Sequence, residues 1–365
     1  MKIKAAVAYE FGKPVVIDEL DLADPRHGEV MVKLSASGIC GTDSGLRKDG
    51  FGGMDKTPIA IGHEGAGYVE KVGPGVTDFK VGDAVIVSYP TCGHCKNCKR
   101  GKSYACEEVL PLIHNGTFED GFTPLSKDGK PVNLFFGAST VATYCVTNVR
   151  NLAKIDLPEG EDIADYAGLA CGLMTGAGTV MNWMRPYPGD SIVVFGAGAI
   201  GLSAIAGARI SRCNPIICID INNERLELSK EFGATHTINP KDVSSLKDEV
   251  MKYTGGKGAD FVVEGTGHCA PLMPEVAAAV CKMALVTVTT EMTLHNANFD
   301  LLGKDLHSIN MGDADPSQLI PVLAKCHQDG LFPFEKMNTY YTLDQVNQAM
   351  DDYDSHKVIK PVIRF

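Results

Sequence analysis

The stretch Ser191-Ile192-Val193-Val194-Phe195-Gly196-Ala197-Gly198-Ala199-Ile200-Gly201 reads as a buried strand, a glycine turn and the start of a helix. Its run of apolar, mostly β-branched residues suits a strand covered on both faces. Gly196, Gly198 and Gly201 form G-x-G-x-x-G. Alone, that hexapeptide is weak evidence; it gains weight because it leaves a strand and opens a helix. The three glycines have separable roles. Gly196 allows a tight turn, Gly198 lets a pyrophosphate approach the backbone, and Gly201 permits close helix–strand packing. Ala199 and Ile200 belong to the first helical turn, whose free N–H groups and positive dipole end suit a phosphate. A second strand over 215–220 ends in Asp220, about twenty residues on, as a dinucleotide site requires. Its carboxylate can accept both ribose hydroxyls and repels a 2′-phosphate, which favours NAD over NADP. The plainer alternative for Asp220 is an acid at a helix start. Arg225 lies one helical turn further, either beside the adenosine ribose or as a solvated charge.

Outward from this unit the strand–helix alternation continues. A helix over 223–232 stops at Gly233, and strands follow at 260–264 and 284–289. That order predicts a doubly wound parallel sheet. Helices are expected over 317–328 and from Thr342, where Gln345 completes a capping box, with a closing strand at 358–365. The first 150 residues have another texture. Short apolar runs at 30–34, 67–72 and 83–87, separated by turns such as 73–76, predict a barrel-like β domain. The expected class is therefore α/β, with a β-rich domain beside a doubly wound one.

Cys92, Cys95, Cys98 and Cys106 stand at C-x2-C-x2-C-x7-C spacing. Four thiolates can surround one zinc ion at about 2.3 Å and leave no open position, so this site reads as structural. A chance cluster or a pair of disulfides fits that spacing less well. The remaining bulk properties bound the function. A chain of 365 residues suits two domains. Its 34 basic and 45 acidic residues give −11, which argues against nucleic acid or an acidic membrane as partner. No apolar run reaches the roughly 20 residues of a membrane span. Twelve cysteines suit a reducing, cytoplasmic setting if several hold metal or are buried.

Cys40, His63 and Cys171 could make a second, open zinc shell, but their spacing alone does not decide it. Five motifs do more. Gly38-Ile39-Cys40-Gly41-Thr42-Asp43, Gly62-His63-Glu64-Gly65-Ala66-Gly67, the four-cysteine loop, the segment Cys171 to Gly176 and the glycine loop stand in the order and spacing of zinc-dependent medium-chain alcohol dehydrogenases. The likeness spans nearly the whole chain. It implies a GroES-like catalytic domain at 1–170 and 310–365, a Rossmann domain at 171–309, two zinc ions per chain and NAD. It implies further that Cys40, His63 and Cys171 hold the catalytic zinc, with Glu64 beside it as an occasional ligand. Thr42 would bond the reacting hydroxyl and Asp43 would orient His63. Lys360 would lie near the cofactor pyrophosphate.

Within the family the chain is most similar to the aryl alcohol branch, through Phe135-Phe136-Gly137-Ala138-Ser139-Thr140, Gly312 to Pro316 and Phe332 to Phe334. Phe135 and Phe136 either line an apolar substrate pocket or are plain core. The implied substrate is a primary, aromatic or allylic alcohol or its aldehyde, and the implied assembly is a homodimer or homotetramer. A sorbitol- or threonine-type dehydrogenase is the rival, although Cys171 stands where polyol enzymes often place Glu. A non-catalytic zinc-ribbon module is the rival of another class. One departure stands out: many relatives carry His at the position of Gly45, where it ends a proton relay.

Overall fold

A computed structural model gives the fold and describes residues 1–287 and 303–365. They form two compact units. One comprises Met1–Cys171, Asp315–Lys325 and Phe334–Phe365; the other comprises Gly172–Ala314 and Cys326–Pro333. Residues 310–314 and 326–333, expected with the β-rich part, group instead with the parallel-sheet unit.

The first unit contains two β-sheets. The strand Glu29–Gly38 matters most for function, because it pairs antiparallel with Glu64–Val72, Tyr144–Asn148 and Lys360–Arg364. In that register Gly38 lies opposite both Glu64 and Val362. Chain regions about 300 residues apart thus meet at one end of one strand. Val30, Val32, Leu34, Val69, Val85 and Val87 form the core beneath it. Each fully buried side chain of that size contributes roughly 1.5–3 kcal/mol. A second core, including Ile3, Val7, Leu20, Leu22 and Leu134, lies under the other sheet.

Among the described residues the second unit holds six parallel strands in the order His236–Ile238, Ile216–Ile219, Ile192–Phe195, Ala259–Glu264, Ala277–Leu285 and Lys304–Ser308. Val193, Phe195, Ile217, Ile219 and Val262 sit in its core, as a sheet covered on both faces requires. The helix Asn223–Phe232 starts under the Asn222 side chain, which accepts from the N–H groups of Glu224 and Arg225. It ends at Gly233, whose φ of +121° only glycine adopts freely. The strand expected at 284–289 begins earlier, at Ala277, and its residues 288–289 lie outside the described residues. Among the described residues no helix is long and apolar enough to cross a membrane.

Candidate functional site

Among the described residues two clusters could hold a metal ion: Cys92, Cys95, Cys98 and Cys106, and Cys40, His63, Glu64 and Cys171. In each, one donor atom per residue lies within 4.8 Å of all the others. All twelve cysteines lie among the described residues, and none of them is in a disulfide.

The four-cysteine loop is organised by its own backbone. Cys95 N donates to Cys92 Sγ at 3.3 Å, Cys98 N to Cys95 Sγ at 3.4 Å and Cys92 N to Cys106 Sγ at 3.4 Å. The N–H groups of Cys98 and Glu107 draw the Cys95 thiol down to about 6, while burial pushes Cys98 up to about 12. Tetrahedral zinc with 2.3 Å bonds spaces its sulfurs about 3.8 Å apart. Cys92 Sγ and Cys98 Sγ are 4.0 Å apart, so the donor set fits that ion with no room for a further ligand.

The second cluster is assembled from three elements. Cys40 caps the helix Gly41–Asp49 in a capping box with Asp43. Thr42 N donates to Cys40 Sγ at 3.3 Å, and Cys40 N donates to Asp43 Oδ2 at 3.0 Å. The other carboxylate oxygen of Asp43 faces His63 Nδ1 at 3.1 Å. The second ring nitrogen, Nε2, lies 3.2 Å from Cys40 Sγ. With Nδ1–H donated to Asp43, Nε2 has its lone pair free for a metal, the usual arrangement of a ligating histidine. Cys171 follows the 3-10 segment Ile163–Ala170, whose last carbonyl accepts from Ser88 Oγ at 2.5 Å. A hydrogen bond from Cys171 holds the Cys40 thiol well below its usual range, and the same bond and burial raise Cys171. Burial acts against a charged His63, yet Asp43 and Cys40 raise it well above its ordinary value. Loading this site therefore releases protons. Two sulfurs and one nitrogen are the donor types of an open zinc shell, and a Glu64 carboxylate oxygen stands within the same reach.

Glu64 is fully buried and sits against Lys360, itself 1% exposed. Lys360 Nζ lies 2.8 Å from Oε1 and 2.5 Å from Oε2. The Lys360 ammonium, expected near the cofactor pyrophosphate, is engaged by this buried carboxylate. Phe135 has no exposed surface and packs edge-on to His63 at 5.9 Å. Phe136, 8% exposed, packs on the same ring at 4.8 Å. Phe51, which sequence reasoning missed, adds a third ring 6.3 and 6.2 Å from the other two. A Cβ on Gly45 would meet its Cδ2 at 3.6 Å, so a phenyl edge borders the position where many relatives keep an imidazole.

In the other unit, Gly196 has φ +94°, and a Cβ on Gly201 would lie 1.8 Å from Gly196 O. A Cβ on Gly198 would meet nothing within 4 Å, and Gly198 caps the helix Ala199–Ile210 without a side-chain bond. Ala199 and Ile200 open that helix and are half-buried. The first-turn N–H groups are thus uncapped and approachable, as a bound pyrophosphate requires. Asp220 is fixed at the next strand end, accepting from Ala197 N at 2.7 Å and Asn222 N at 2.8 Å. Arg225 lies in the first turn of the helix that follows. The residues present therefore suit a dinucleotide.

Known proteins share this plan. Residues 26–157 match the alcohol dehydrogenase GroES-like domain family, and residues 199–325 match the zinc-binding dehydrogenase family. The chain is 36% identical to a geraniol dehydrogenase of Castellaniella defragrans, over 99% of this chain and 97% of that one. It is 35% identical to an S-(hydroxymethyl)glutathione dehydrogenase of Escherichia coli, over 100% of both. The crystal structure of benzyl alcohol dehydrogenase from Acinetobacter calcoaceticus superposes with a TM-score of 0.92 at 33% identity, covering 100% of this chain and 99% of that one. With two zinc-compatible clusters and a dinucleotide loop on this frame, the chain belongs to the zinc-dependent medium-chain alcohol dehydrogenases, oxidoreductases that use NAD(H).

Proposed function

We propose that the protein interconverts a primary alcohol, aromatic or allylic, and its aldehyde, passing hydride to and from NAD. The observation that carries this reading is the Cys40–His63–Cys171 cluster, whose three donors leave one coordination position for a substrate oxygen. Similarity to a geraniol and a benzyl alcohol dehydrogenase, and the phenyl cluster of Phe51, Phe135 and Phe136, of which the last two pack on His63, support an unsaturated or aromatic substrate.

When bound, zinc supplies a Lewis acid that makes a hydroxyl more acidic, and NAD supplies the hydride acceptor. The chain's own residues do the rest. Asp43 holds the His63 ring in one orientation and tautomer. Thr42, next in line to Cys40, is assigned the hydrogen bond to the substrate hydroxyl and first receipt of its proton. With Gly45 offering no base, that proton passes onward to water or to ribose hydroxyls. Gly196, Gly198, Ala199, Ile200 and Gly201 cradle the pyrophosphate, and Asp220 takes the ribose. We assign the four-cysteine site a structural role, and place the enzyme in the cytoplasm as a homodimer or homotetramer.

The test is NADH formation across benzylic, allylic, aliphatic and polyol alcohols and S-(hydroxymethyl)glutathione, alongside zinc counting. Benzylic or allylic alcohols should give the highest kcat/KM with two zinc ions per chain. A clear preference for sorbitol, threonine or the glutathione adduct would overturn the substrate assignment. Cys40→Ser should lose one zinc and turnover together; full retention of both would remove the metal assignment.

A further inference from the structure

Lys360 is buried beside the Cys40–His63–Glu64–Cys171 cluster, where a lysine is costly. A lysine at 1% exposure has given up its hydration and needs a compensating charge. Glu64, fully buried, supplies it: Oε1 accepts from Nζ at 2.8 Å, and Ile39 O lies 3.5 Å from the same nitrogen. Glu64 has a second possible cation, because one of its oxygens stands within 4.8 Å of the donor atoms of Cys40, His63 and Cys171. Its Oε2 lies 2.5 Å from Nζ but outside hydrogen-bond geometry, so it retains lone pairs for another partner. The fold makes room for this carboxylate. A Cβ on Gly38, across the strand pair, would lie 2.1 Å from Oε2.

The charge count favours the ammonium as its partner. Two thiolates and Asp43 leave a divalent ion already outweighed by one negative charge. Glu64 as a third anionic ligand would find no unbalanced positive charge at that ion, whereas the Lys360 ammonium offers one. We propose that Lys360 is a positioning residue for Glu64: its ammonium holds the carboxylate beside the cluster and off the metal, keeping the fourth position available to an alcohol. This rests on the assignment of Cys40, His63 and Cys171 as metal ligands.

Cobalt(II) in place of zinc reports coordination directly, without turnover. Subtracting the spectrum of Cys40→Ser, which retains only the four-cysteine site, isolates the second ion. If Cys40→Ser and the native chain have equal spectra and metal content, the metal assignment itself is wrong and the proposal falls with it. Otherwise, Lys360→Met should shift the visible ligand-field bands and weaken binding of free imidazole, a probe for the fourth position. Lys360→Arg should keep the native spectrum, and Lys360→Met/Glu64→Gln should return to it. Native bands and imidazole affinity in Lys360→Met, or a shift that survives in the double variant, would overturn the role of Lys360 while leaving the metal site intact. Glu64→Gln in the otherwise native chain gives an independent reading should Lys360→Met not fold. Its spectrum should match the native one, and a changed spectrum would mean that the carboxylate was on the metal throughout.

Discussion

Asp43 shows how much one side chain can organise. One oxygen completes the cap on the helix Gly41–Asp49 and the other faces His63 Nδ1, so it fixes two elements at once. Removing it frees the imidazole to rotate and to change tautomer. Partners of this kind typically cost 10–100-fold in metal affinity when lost. Asp43→Ala should therefore release the catalytic zinc at about 10–100-fold lower chelator concentration, with the four-cysteine zinc retained. Equal chelator midpoints in variant and native protein would show that His63 is held by packing alone, through Phe135 and Phe136. The role of Asp43 was legible in the sequence only through resemblance, although a Cys-x-x-Asp capping box is visible in hindsight. The pairing of Lys360 with Glu64 was not legible. The two are 296 residues apart, and a lone lysine on a closing strand carries no sign that it is buried.

At the scale of elements, what could be read depended on whether the signals were local. The helix Asn223–Phe232 carries its own start at Asn222 and its own stop at Gly233, and its boundaries came out as expected. The strand Val16–Leu22 carries Asp18, Glu19 and Asp21, poor strand formers, and exists because it pairs with Lys2–Ala8. No local pattern announces it. The helix Gly172–Gly178 also escaped, since glycine-rich sequence argues against a helix. The structure gives the reason for those glycines. Within the parallel-sheet unit it packs on the helix Ala199–Ile210, and a Cβ on Gly176 would lie 2.0 Å from Ile200 O. Gly176→Ala should cost about 1–3 kcal/mol as overpacking against backbone that cannot yield. A denaturant midpoint at or above the native one would show that the two helices can separate without penalty. The four-cysteine loop behaves in the opposite way. The short helix Lys96–Lys99 buries none of its residues, so ligation must hold the segment. Stripping zinc should open 96–105 to proteases before the strand Ala84–Val87 loses hydrogen-exchange protection, and simultaneous loss would contradict a purely local role.

For the molecule as a whole, binding of cofactor to the folded chain is a stability measurement. NAD at a hundred times its Kd should raise the unfolding free energy by about 2.7 kcal/mol, provided the unfolded chain does not bind it. NADP at the same concentration meets the Asp220 carboxylate, which cannot turn aside because both oxygens are held by the N–H groups of Ala197 and Asn222. Unit charges about 4 Å apart repel by about 4 kcal/mol at an effective dielectric near 20, roughly a thousandfold in affinity. Occupancy by NADP is then too small to shift the melting curve. The net charge of −11 disfavours the extra phosphate in the same direction, but salt screens that contribution over about 10 Å. Raising the ionic strength should therefore leave most of the NAD/NADP gap in place, while Asp220→Gly should close much of it. Equal stabilisation of the native protein by both dinucleotides would remove Asp220 from cofactor selection. A gap that vanished with salt would transfer the discrimination to the protein's overall field.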